Sequence, residues 1–326
     1  ICSGGRTMNI STSSDYGTLQ TLLNQSSSVR NHLAFAQQQV ATGLRDTSYS
    51  GLGAGARVSL DLRPELAHEQ AWQNNIDAAA GRLGTAQSSL KSITDIASSL
   101  FAQLGNLNGI NPSDPASVAA LARNGLEQVA NLLNTKVGNV YVFAGDDTGN
   151  PPIPNPTAAS LIPALLAGPT GAPFSATIGT TPTTIEVGEG ERIPVGLIAN
   201  RNTAVVSVAP TTGSYLRDIL TSLARLSTIN NGPTLQADVA AARTPLTNAI
   251  GSIALEAGAL GNAQNLLQSR REQSVQTVIT LNTQLSNAED VDLAATLTRV
   301  ASLQTALQAS YQIIAKFKDL SLANYL

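Results

Sequence analysis

The 326 residues carry a formal net charge of −3, with 13% charged, 4% aromatic and 42% hydrophobic side chains. No basic patch or tail stands out, which argues against a nucleic-acid partner, and the single cysteine, Cys2, excludes an intrachain disulfide or a thiolate metal cluster. A core drawn mainly from Ala, Leu, Val and Ile suits long helices packed side by side, and scarce charge favours a polymer over a monomer because self-repulsion is low.

Met8, the only methionine, reads as the natural start, with residues 1–7 as added or misassigned upstream sequence. From Met8 onward no basic stretch leads into an apolar run, so no cleavable secretory signal is expected. Apolar runs such as 162–167 are too short to span a bilayer, so no membrane insertion is expected either.

A seven-residue repeat opens the chain. Leu19, Ser26, Leu33 and Val40 fall on one seam position, and Leu22, Val29 and Ala36 on its partner. Gly43 ends the run, and Gly51, Gly53 and Gly55 mark a loop. A stronger repeat follows, with Ile76, Leu83, Leu90, Ala97 and Leu104 alternating with Ala79, Ala86, Ile93, Leu100 and Leu107. Apolar seams sustained in this way signal a coiled coil. After a turn cluster over 106–115, Ser113 or Asp114 can cap the next helix with Pro115 at its first position. That helix carries Val118, Ala122, Leu126, Val129, Leu133, Val137 and Val140, so it is expected over 116–143, antiparallel to the helix over 72–108.

From 145 to 213 the pattern is rich in Pro, Gly and Thr. A short helix is expected near Ala158–Leu166, and strands over 174–178, 183–187, 192–197 and 204–208, with a hairpin turn at Gly188-Glu-Gly190. Helical patterning then returns over 215–226 and 234–288, with Pro245 marking a kink or a helix start. The last segment repeats Leu293, Val300, Leu307 and Ile314, with Leu303 and Phe317 on the partner seam.

The fold class read from this order is mainly α. A long antiparallel coiled coil and helical bundle is formed by the N- and C-terminal regions, with a small β-rich central insertion. Residues 8–50 with 289–326 form a terminal coiled-coil assembly domain. Residues 51–144 with 214–288 form the bundle core, and 145–213 an outer insertion. The candidate assembly interface is Leu19, Val29, Leu33 and Val40 against Leu293, Val300, Leu307, Ile314 and Phe317.

Signals for catalysis are thin. His32 and His68 have no second ligand at helical spacing, so they read as surface or packing histidines. Gly51-Leu-Gly-Ala-Gly-Ala56 lacks the preceding strand and the third glycine of a phosphate loop. Asp146-Asp147, Glu186, Glu189, Glu191 and Glu289-Asp290 sit at turns and helix starts, where acids solvate or cap. Arg270 and Arg271 read as a solvated helix face. No enzyme activity, metal or cofactor is expected. A surface adhesin or carbohydrate-binding role for 145–213 is the alternative of another class, disfavoured because Phe174 is the only aromatic there.

Five motifs in order carry a family resemblance. Met8-Asn-Ile-Ser-Thr12, Ala41-Thr-Gly-Leu-Arg45, Tyr141-Val-Phe-Ala-Gly145, Glu289-Asp-Val-Asp-Leu-Ala294 and Leu303-Gln-Thr-Ala-Leu-Gln-Ala-Ser-Tyr311 resemble segments of the bacterial flagellin superfamily. Within it, the ending Leu320-Ser-Leu-Ala-Asn-Tyr-Leu326 is most similar to the hook–filament junction proteins, with filament flagellin as the near alternative. The resemblance implies a structural subunit that self-assembles through paired terminal helices. It also implies export through the flagellar type III apparatus to an extracellular site on the flagellum. The implied partners are other copies of the chain, hook-associated proteins, flagellin and an export chaperone at the C-terminal helix.

Overall fold

The computed structural model describes residues 11–107, 114–168 and 171–323, with side chains described from 17 to 316 within those limits. Residues 1–7 and Met8, and the end of the chain beyond 323, lie outside the described residues. Among the described residues seven helices and four short strands follow in the order α1 (Ser11–Thr42), α2 (Gly55–Asn106), α3 (Pro115–Leu133), β1 (Lys136–Val137), β2 (Val140–Tyr141), α4 (Ala158–Leu166), β3 (Thr184–Gly188), β4 (Glu191–Pro194), α5 (Tyr215–Leu226), α6 (Leu235–Glu289) and α7 (Leu293–Ala323). The fold is mainly α, with two small antiparallel sheets, β1–β2 and β3–β4.

The described chain divides into two compact units. One comprises the residues up to Ala67 together with those from Ile279, and the other runs from His68 to Val278. In the second unit, the heptad residues of α2 are buried as their spacing predicts: Ile76, Leu83, Leu90, Ile93, Ala97 and Leu104 line one stripe of the core. Alternating Leu and Ala lets helices approach closely, and each fully buried Leu or Ile side chain contributes about 1.5–3 kcal/mol. The second unit's parts of α2 and α6 run antiparallel. Arg271 Nε donates to Asp77 at 2.7 Å, and the Arg243 guanidinium lies 5.1 Å from the Phe101 ring centroid. Asp114 caps α3 by accepting from the Ala116 N–H, with Pro115 at the first helical position. The α3 stripe Val118, Ala122, Leu126, Val129 and Leu133 is buried, and α3 packs on α5. Gly125 lets these helices close up, since a Cβ there would stand 3.0 Å from Ile96 Cγ2 and 3.6 Å from Leu223.

The structure corrects the expected helix over 116–143. Helix α3 stops at Leu133 because Asn134 turns the chain: its side chain donates to the Ile153 carbonyl at 2.7 Å and accepts from the Ile153 N–H at 3.0 Å. Gly138, at φ +61°, then allows a hairpin whose strands carry the β-branched Val137 and Val140. Tyr141-Val-Phe-Ala-Gly145 is therefore a strand and its extension, not a helix terminus. Ala144 bridges Ile198, the Gly145 N–H donates to the Leu197 carbonyl, and Phe143 is fully buried.

Within 145–213, α4 forms at the expected place and the β3–β4 hairpin forms around the expected turn, but β4 stops at Pro194 instead of running to 197. Gly190 takes the φ of +70° that the turn requires. Residues 174–178 form turns and 204–208 take no regular structure, so neither becomes a strand. The hairpin rests on the long helices. Asn75 Nδ2 donates to the Glu186 carbonyl at 3.2 Å, and Arg270 of α6 pairs with Glu191. Arg270 and Arg271 are thus both paired rather than simply solvated.

Candidate assembly site at the terminal helix pair

The first unit holds α1 and α7 packed against one another. The end of α1 lies beside the start of α7 through an antiparallel bridge between Leu44 and Asp290, so the two helices run in opposite directions. Gly43 closes α1 in the left-handed region at φ +72°, its N–H donating to the Gln39 carbonyl at 2.8 Å. Its own carbonyl accepts from the Val291 N–H at 2.9 Å, and the Arg45 N–H donates to the Glu289 carbonyl at 2.7 Å. Arg45 Nε reaches the Asp290 carbonyl at 2.9 Å.

Glu289 is the centre of this clamp. Its carboxylate, nearly buried, accepts from Arg63 Nε at 3.0 Å and Nη2 at 2.8 Å, and from the buried Ser59 hydroxyl. This fork on a carboxylate is the strong form of the ion pair. The hydrogen bond and then the charge of Glu289 push the Arg63 guanidinium pKa above its ordinary value. Gly55 opens α2 where a Cβ would meet the Ala288 carbonyl oxygen at 2.9 Å, so the Gly51–Ala56 run serves a close backbone approach. Asp292 caps α7, accepting from the Ala294 and Ala295 N–H groups at 2.9 and 3.0 Å. Three segments distant in sequence, 43–45, 55–63 and 288–292, thus interlock at the root of the helix pair.

Along the pair, Leu19, Leu22, Val29, Leu33 and Val40 are half-buried on α1, with Ser26 and Ala36 fully buried between them. On α7, Val300, Leu303, Leu307 and Ile314 are half-buried and Thr296 is buried. Leu293 is 48% exposed, because the buried stripe of α7 begins at Thr296. The Phe317 side chain lies outside the described residues. Other apolar side chains stay open to solvent: Leu23 and Phe35 on α1, and Leu297, Tyr311 and Ile313 on α7, are each more than two-fifths exposed. These side chains are left unburied within one chain.

Sequence reasoning missed Ser59 and Arg63. Their roles depend on a partner more than 220 residues away in the chain, and no local spacing signals such a pair. The cap at Asp292 is legible, since an acid just before an apolar-periodic run marks a helix start.

The remaining candidates scatter. His32 is exposed on α1, and His68 is exposed beside Trp72, with ring centroids 6.1 Å apart. Among the described residues no group of three or more His, Cys, Asp and Glu side chains is placed to hold a metal ion. Nor is any helix among them long and apolar enough to cross a membrane. Glu186 pairs with Arg192 at 3.6 Å, and Asp147 accepts from Asn150 at 3.1 Å.

Residues 10–148 match the family model of the bacterial flagellin N-terminal helical region, and residues 244–326 that of the C-terminal helical region. The chain belongs to the bacterial flagellin family. It is a structural subunit of the bacterial flagellum. Flagellar hook-associated protein 3 of Escherichia coli K12 is 24% identical over 303 residues, covering 87% of this chain and 90% of that protein. Two solved structures share the fold. A flagellar hook-associated protein of Vibrio parahaemolyticus matches at TM-score 0.56 and 14% identity, over 71% of this chain and 96% of its own. FlgL of Bacillus cereus matches at TM-score 0.50 and 16% identity, over 69% of this chain and 99% of its own. The flagellin-type ends account for the clamp: Gly43, Arg45, Ser59 and Arg63 fall within the N-terminal match, and Glu289 and Asp292 within the C-terminal one.

Proposed function

We propose that this flagellin-family chain is a hook–filament junction subunit that polymerises through its terminal helix pair. The observation that carries the reading is the apolar surface left open on α1 and α7 after they have paired. Similarity along most of its length to a hook-associated protein supports the junction position over the bulk of the filament. In this reading, 8–50 and 289–326 are the assembly part. Leu19, Val29, Leu33 and Val40 pair with Val300, Leu307 and Ile314 inside one subunit, with Leu293 and Phe317 completing the seam on assembly. Neighbouring copies, hook-associated proteins and flagellin cover the outer face, and the C-terminal helix is shielded by an export chaperone. The chain leaves through the flagellar export apparatus.

Electron microscopy of flagella from a deletion strain tests the position. Hooks without attached filaments are expected, whereas loss of the filament material itself would make the chain a filament flagellin. Two variants test the mechanism. Leu307→Asp is expected to break the helix pair and block incorporation while residues 68–278 stay folded. Leu297→Glu, on the exposed face, is expected to leave the pair intact and still block incorporation. Normal incorporation of both variants would sink the reading.

A further inference from the structure

The loop between α5 and α6 contains Asn231-Gly232, with Asn231 exposed. Among the described residues neither the Asn231 side chain nor the Gly232 N–H is engaged in a hydrogen bond. The site is crowded on one side only: a Cβ on residue 232 would meet Asn230 Oδ1 at 2.6 Å, so glycine alone fits without displacing that side chain. A following glycine has no side chain to shield its amide nitrogen, and an irregular loop leaves its backbone able to turn that nitrogen toward the asparagine side chain.

We infer that Asn231 is a site of spontaneous backbone-assisted deamidation. The Gly232 amide nitrogen attacks the Asn231 side-chain carbonyl carbon and loses its proton. The bond from that carbon to the side-chain nitrogen breaks, and ammonia leaves with the proton. The resulting five-membered succinimide takes up one water at either of its two carbonyls. Opening at one gives aspartate, and at the other isoaspartate with the main chain rerouted through the side chain. The sum is asparagine plus water giving the acid plus ammonia, with no redox change. Each event adds one negative charge to the chain's −3, just ahead of the first turn of α6.

The same dipeptide occurs twice more, at Asn108-Gly109, outside the described residues, and at Asn124-Gly125, which serves as an internal control. Asn124-Gly125 lies inside α3, where Gly125 is buried against Ile96 and Leu223. Its N–H belongs to the helical ladder, and ring closure there would break the turn and its packing. Reaction at Asn124 must wait for α3 to open. Each ~1.4 kcal/mol of opening free energy slows it about tenfold.

The test is incubation of the purified full chain at neutral pH, with peptide mapping by mass spectrometry and enzymatic detection of isoaspartate. Conversion at Asn231 is expected to outrun Asn124 by at least about tenfold while the chain is folded, and the two rates are expected to converge in denaturant. Asn231→Gln is expected to remove the isoaspartate signal at this loop without moving the thermal melt. Equal rates at the two sites in the folded chain would overturn the inference, as would a difference that persists unchanged in denaturant.

Discussion

Asp46 and Asp146 hold their charge by hydrogen bonds rather than by burial. The Ser48 N–H and then the Ser48 hydroxyl keep the Asp46 pKa below its ordinary value. For Asp146 the first cause is its own backbone N–H, with the Thr181 hydroxyl and the N–H groups of Thr181 and Thr180 adding to it. A depressed folded-state pKa means the unfolded chain binds protons more readily, so this contribution is present above the unfolded value and is lost as pH falls through the folded one. Stability measured by urea unfolding is therefore expected to drop below about pH 4, and Asp46→Asn to flatten part of that drop. Tyr215 acts at the other end of the scale. Burial first, and then the negative Glu256, push its phenol well above 10. The neutral form is favoured by folding, so the contribution is complete below the unfolded value and lost as pH climbs. Stability is expected to fall above about pH 10 in the native chain, and that fall to shrink in Tyr215→Phe.

At the scale of elements, periodicity located the helices well. The α4 and α5 ranges and the long α6 were legible because Leu, Ala and Ile recur every three to four residues between clear breakers. Where a helix stops was less legible. Val137 and Val140 continue the α3 pattern, yet the chain leaves the helix at Asn134 because that side chain finds the Ile153 backbone 19 residues on. No window of local sequence contains that partner. Gly145, just past β2, takes φ +66°, and a Cβ there would stand 3.0 Å from the Thr181 carbonyl oxygen. Gly145→Ala is expected to cost about 1–2 kcal/mol from the left-handed backbone alone. The measurement is a lower denaturation midpoint, with far-ultraviolet circular dichroism of the folded chain unchanged.

At the scale of the whole molecule, a small polar clamp holds the terminal segments together at the root of the α1–α7 pair. Glu289→Ala leaves Ser59 and Arg63 without their acceptor. The expected cost is about 2 kcal/mol, below that of a fully buried pair because Arg63 is half-exposed and screened by solvent. Calorimetry is expected to show the loss in the transition of the unit formed by the two chain ends, with the transition of residues 68–278 unmoved. Incorporation into the flagellum is expected to weaken with it, because the α1 and α7 outer faces no longer stand side by side.

Heptad spacing by itself determined that this chain is a helical protein with apolar stripes at both ends, since side-chain period and burial are linked along one helix. The flagellin-type motifs at those ends were equally readable. Heptad spacing also set Val300 and Leu307 on the seam, whereas tertiary structure decided that Leu293 stays about half exposed and that Leu297 and Tyr311 are left outward. Tertiary structure also decided that Ser59, Arg63 and Glu289 meet. Both depend on how separate segments are oriented in space, and that geometry is set by packing across the chain rather than by any residue's neighbours in sequence.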